Sequence, residues 1–145
     1  MASDRNGSAP LPSRGVSAPP SVSIGLPVGD YIGVARLVAA GFASRLDLRY
    51  EAVDDLQTAI ETVLRSAFGP DDHATVAISN DTESLRVAIG PVRSNALKRR
   101  LHEHDGVDGI DLDSLLGRLV DDVTMEREPI ASIVLHVDLA AADAV

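Results

Sequence analysis

The chain has 145 residues, 45% of them hydrophobic but only 3% aromatic, no cysteine, and a formal net charge of −9. This length suits one domain with an aliphatic core, and the lack of thiols excludes disulfides, zinc–thiolate centres and thiol nucleophiles. The acidity argues against nucleic acid, whose phosphates require a local excess of Lys and Arg.

No apolar run approaches the roughly 20 residues that span a bilayer. The N-terminus lacks the apolar core of a secretory signal, so no membrane association and a cytoplasmic location are expected. Residues 1–20 are mostly Pro, Ser, Gly and Ala, with Met1, Leu11 and Val16 as their large apolar residues. They bury too little surface to offset ordering entropy and read as a disordered tail. Residues 21–140 then form a single domain, and 141–145 a flexible end.

Within that domain Val22 to Val28 alternates apolar and small residues and reads as a strand. Pro27 cannot donate to a ladder, so this strand belongs at a sheet edge. Gly29-Asp30 opens a helix, with Asp30 as the expected N-cap. Ile32, Val34, Ala35, Leu37, Val38, Phe42 and Leu46 carry its apolar positions. A second helix covers Glu51 to Phe68, with Val53, Leu56, Ile60, Val63, Leu64 and Ala67 as its stripe. Gly69-Pro70 ends it.

Strands at Ala74–Ser79 and Leu85–Ile89 flank a turn at Asn80-Asp81-Thr82-Glu83, forming a hairpin. Gly90-Pro91 stops the second of them. A short helix is expected over Ser94–His102, an acidic loop over Glu103–Asp111, a helix over Leu112–Val120, and strands over Val123–Glu126 and Ile130–Leu139. Strands and helices are grouped rather than alternating. That order predicts an α+β fold, a two-layer sandwich with helices on one face of a largely antiparallel mixed sheet.

Three segments carry a family resemblance. Gly29 to Ala40 resembles the first helix of the anti-sigma-factor serine kinases of the RsbW type. Asp54-Asp55-Leu56-Gln57-Thr58-Ala59-Ile60-Glu61 resembles their second helix, and Leu115 to Val123 their late helix. The resemblance spans Val22 to Leu139 and implies the histidine-kinase-like ATPase fold. It also implies a protein partner, either a sigma factor or an anti-sigma-factor antagonist, and homodimerisation, with Tyr31, Arg36 and Arg45 near the contacts.

The family's chemistry rests on motifs that are altered here. Its Glu-x-x-x-Asn pair supplies a base and a magnesium ligand. The corresponding residues are Glu61 and Arg65, and a guanidinium cannot ligate magnesium; it can pair with Glu61 one turn away. Its Asp-x-Gly-x-Gly motif corresponds to Ala88-Ile89-Gly90-Pro91-Val92, which keeps Gly90 but has Ala88 for the aspartate. Its glycine-rich lid corresponds to residues 105–113, where Gly106 and Gly109 stand among aspartates that repel a triphosphate.

The expectation is therefore a regulatory, anti-sigma-factor-like binding protein with a degenerate nucleotide site and no cofactor. Glu61 is the remnant base, and Arg65, Ala88, Gly90, Gly106 and Gly109 mark the former nucleotide site. The alternative is an active ATP- and magnesium-dependent serine/threonine kinase acting on an anti-sigma-factor antagonist. A structural or dimerisation domain without a regulatory role is the third class. His102-Glu103-His104 lacks a further ligand fixed by spacing, so no metal site is expected. Lys98-Arg99-Arg100 reads as a solvated helix end or protein-contact patch, and His136 as a strand-surface residue.

Overall fold

In the computed structural model, residues 19–92, 112–128 and 130–139 are described. The expected tail (apart from Pro19 and Pro20), the Ser94–His102 helix, the acidic loop and the C-terminal end lie outside them.

β1 (Ser21–Pro27) directs Leu26 into the core and exposes Ser21, Ser23 and Gly25, the period-two pattern of a half-buried strand. Pro27 ends it and doubles as the N-cap of α1 (Val28–Ala43), its fixed φ suiting the entry to a helix. Asp30 is therefore not the cap: it lies in the first turn, where its charge favours the helix dipole. Gly29 earns its place by close approach, since an added Cβ would sit 2.7 Å from the Pro70 carbonyl oxygen. That carbonyl accepts the Gly29 N–H at 2.9 Å.

α1 buries Val28, Ile32, Ala35, Ala39 and Ala43. A short 3-10 turn (Ser44–Leu46) leads towards α2 (Tyr50–Ala67), which buries Leu56, Ala59, Ile60, Val63 and Leu64. Phe68 leaves the helix in an extended conformation, and the Asp72 carboxylate accepts the Gly69 N–H at 2.7 Å to close the turn.

β2 (His73–Asn80) and β3 (Ser84–Gly90) form the expected hairpin. The Asp81 carboxylate accepts the N–H groups of Glu83 and Ser84 at 2.7 and 2.8 Å, the local bonding that suits Asp to turns. α3 (Leu112–Gly117), β4 (Asp122–Glu126) and β5 (Ser132–Asp138) complete the described elements.

The five-stranded sheet has the order β1-β2-β3-β5-β4, and all four pairings are antiparallel. The helices pack on one face, α1 over β1 and β2, and α2 against α1, α3 and β5. The expected α+β two-layer sandwich is thus what forms. Leu56, Ile60, Leu64, Val76, Ile78, Leu85, Val87, Ile89, Ile133 and Leu135 fill the aliphatic core between the layers.

Candidate functional site

α2 exists as a helix because its apolar residues recur at helical spacing and bury against the sheet and α1. That burial fixes the direction of its polar residues. Glu61 emerges beside α1, and Arg65, one turn later, lies on the same side. The Arg65 Nε–H donates to one Glu61 carboxylate oxygen at 2.8 Å. An Arg36 Nη–H, from α1, donates to the other at 2.5 Å. The Gln57 side-chain amide donates to the Arg36 carbonyl at 3.1 Å, adding a second tie between the helices.

Both Glu61 oxygens are therefore occupied by guanidinium donors. The hydrogen bond from Arg65 is the largest cause of a lowered Glu61 pKa; burial, the next largest effect, opposes it, and the charges of Arg65 and Arg36 and the Arg36 bond add to the lowering. A carboxylate held ionised between two cations is a weak proton acceptor, since a useful base has a pKa near the working pH. A divalent cation at this corner would meet a guanidinium where it needs an oxygen. The residues present do not fit magnesium.

The expected Glu61–Arg65 pair is present. Sequence reasoning missed the role of Arg36, which is 25 positions away and comes into reach only when α1 packs on α2. The family resemblance points to Arg36 only as a residue near partner contacts.

The other marked residues lie elsewhere. Val87 and Ile89 face the helices, so Ala88 faces the opposite, helix-free side of the sheet. It lines a groove of ≈ 230 Å³ with Thr75, Ala77, Gly90, Ile130, Ser132 and the Arg86–Glu126 ion pair. Gly90 has a packing reason to be glycine: a Cβ there would lie 2.5 Å from the Ala131 carbonyl and 2.6 Å from Ser132 Oγ. Glu61 and Arg65 are thus brought together, and Ala88 and Gly90 share a groove across the sheet from them. Gly106 and Gly109 lie outside the described residues.

A second cleft, of ≈ 300 Å³, lies at the other end of α2, where Arg49, Asp55, Arg118 and Asp121 give it charges of both signs. His136 is half-buried on the helix-free face, its Nε2 3.0 Å from the Thr124 hydroxyl. Among the described residues no cluster of His, Cys, Asp and Glu could hold a metal. No helix among them is long and apolar enough to cross a membrane.

Against known proteins, no family model matches the chain. A partial homologue is the serine-protein kinase RsbW of Oceanobacillus iheyensis, 38% identical over 61 residues. The match covers 42% of this chain and 34% of the relative, so the chain spans about a third of the length of the protein it matches. The likeness is to a serine-protein kinase, and it extends to part of each chain.

Proposed function

We propose that this protein is an anti-sigma-factor-like regulator that acts by binding a partner protein in a partner-switching circuit, without ATP-dependent phosphoryl transfer. The observation that carries this reading is the Arg36–Glu61–Arg65 corner, in which the acid that would serve as base is consumed as a strut between α1 and α2. Phosphoryl transfer depends on metal and phosphate positioning, and a guanidinium in the metal-ligand position removes the first of these. On this reading the chain carries the histidine-kinase-like ATPase scaffold with the nucleotide site degenerate. The partner is a sigma factor or an anti-sigma-factor antagonist, as the partial likeness to RsbW suggests.

α1 supports a binding role. Tyr31, Val34 and Leu37 are 47%, 45% and 72% exposed, a run of large apolar side chains left towards solvent. Clustered exposure of this kind marks interaction surfaces more often than isolated apolar residues do. The test is a pull-down of candidate sigma factors and antagonists from the same organism, without nucleotide. A stable complex is expected, weakened by Leu37→Asp; the absence of any such complex contradicts the proposal.

The alternative, an active serine/threonine kinase, is favoured by one observation, the activity printed in the relative's name. It predicts ATP-dependent phosphorylation of an antagonist that Glu61→Ala abolishes.

A further inference from the structure

The two edges of the sheet are built differently. β4, at one edge, is a five-residue strand with a carboxylate at each end, Asp122 and Glu126, and Glu126 is tied to Arg86 of β3. Short, charged edges resist pairing with another chain. β1, at the other edge, has seven residues and none is charged. It is paired with β2 along its whole length, from Ser21 opposite Ser79 to Pro27 opposite His73. Its outward backbone groups have no strand partner among the described residues. An edge of this kind is a template for a further strand.

The flank of α1 above this edge is also apolar. α1 lies over β1 and β2, and Arg36 marks its side towards α2. Tyr31, Val34 and Val38, at i, i+3 and i+7, lie on the opposite side. Tyr31 and Val34 are exposed, and Val38 is half-buried. A strand added beside β1 would pack its inward side chains against this flank, as Val22, Ile24 and Leu26 pack against the core.

Charge selects the occupant. Acids stand beyond both ends of the β1–β2 pair: exposed Asp30, Asp71 and Asp72 near Pro27 and His73, and exposed Asp81 and Glu83 beyond Ser79. A second copy of this chain pairing antiparallel would set the Asp71–Asp72 end of one against the Asp81–Glu83 end of the other. A parallel pairing would oppose identical acidic ends. Like charges so placed oppose association, and each copy carries a formal net charge of −9. A strand with an uncharged middle and Lys or Arg at both ends meets no such opposition.

We propose that the β1 edge and the outer flank of α1 capture an extended segment of another protein by strand addition, the segment being apolar in alternation and basic at both ends. The partner is defined by its chemistry, so the proposal stands apart from the anti-sigma reading and either can fail alone.

The probe is a synthetic peptide of alternating valine and threonine with lysines at both ends, alongside a counterpart with glutamates at the ends. Both are titrated into the full chain, followed by amide chemical shifts and fluorescence anisotropy. Saturable binding of the lysine-ended peptide is expected, with the largest shifts at Val22–Leu26, Tyr31 and Val34. The glutamate-ended peptide should bind at least about tenfold more weakly, and added salt should narrow the difference. Val34→Asp should weaken binding of the lysine-ended peptide while leaving the fold intact; Ser23→Lys should weaken it as well, by placing charge on the edge itself. Absence of binding, equal affinity for the two peptides, shifts centred on β4, or self-association that Ser23→Lys abolishes would each overturn the proposal.

Discussion

The two sides of α1 meet opposite fates. On the side towards α2, Arg36 is joined with Arg65 on Glu61 and the polar groups satisfy one another. On the side towards the β1 edge, Tyr31 and Val34 stay in solvent beside a strand with no outer partner among the described residues. On the closed side Glu61 and both guanidinium groups are engaged with one another. The open side presents apolar area and, among the described residues, a backbone edge with no strand paired to it.

The largest effect in this comparison is expected from the buried neighbour of Glu61. Ile60 is fully buried, so Ile60→Ala should cost about 2–5 kcal/mol in denaturant unfolding. A cost under about 1 kcal/mol would mean that α2 is not seated as described. Removing a guanidinium from the corner should cost far less. Arg36 and Glu61 are 36% and 28% exposed, so Arg36→Ala should lose roughly 1 kcal/mol or less, because solvent screens such pairs.

Glu61→Gln sharpens the point through pH. The folded-state pKa of Glu61 lies below its ordinary 4.5, so its ionised form is favoured by folding. That contribution is present above the unfolded-state pKa and is lost as pH falls through the folded-state pKa. The stability gap between the parent and Glu61→Gln should therefore be widest near neutrality and shrink as the solution is acidified below 4.5. A gap independent of pH would show that the pair contributes nothing. The smallest effect on stability belongs to the open side: Val34→Ser should change unfolding by no more than about 0.5 kcal/mol, while weakening partner capture.

Much of this was legible in the sequence, for identifiable reasons. Pro27 placed β1 at an edge, Asp81 closed the hairpin, and Leu56, Ile60, Val63 and Leu64 announced the buried face of α2. The Glu61–Arg65 pair followed from helical spacing. Arg36 did not, because an interhelical contact leaves no local pattern. The side chain of Asp30 suits a cap, whereas Pro27 and Gly29 set the actual helix start through the contact with Pro70. Val34 and Leu37 read as apolar helix positions, and only the packing of α1 reveals that they face solvent. The face towards which Ala88 points depends on strand phase, which the buried Val87 and Ile89 settle.

The central claim is that Glu61 is a structural acid and no longer a base for phosphoryl transfer. Its most direct test is a transfer assay with radiolabelled ATP and magnesium, in the presence of a partner protein recovered by pull-down, using the parent and Glu61→Ala chains. The account predicts no label on the partner with either chain and a partner complex that forms without nucleotide. Labelling of a partner serine or threonine by the parent chain, lost in Glu61→Ala while the complex still forms, would contradict it.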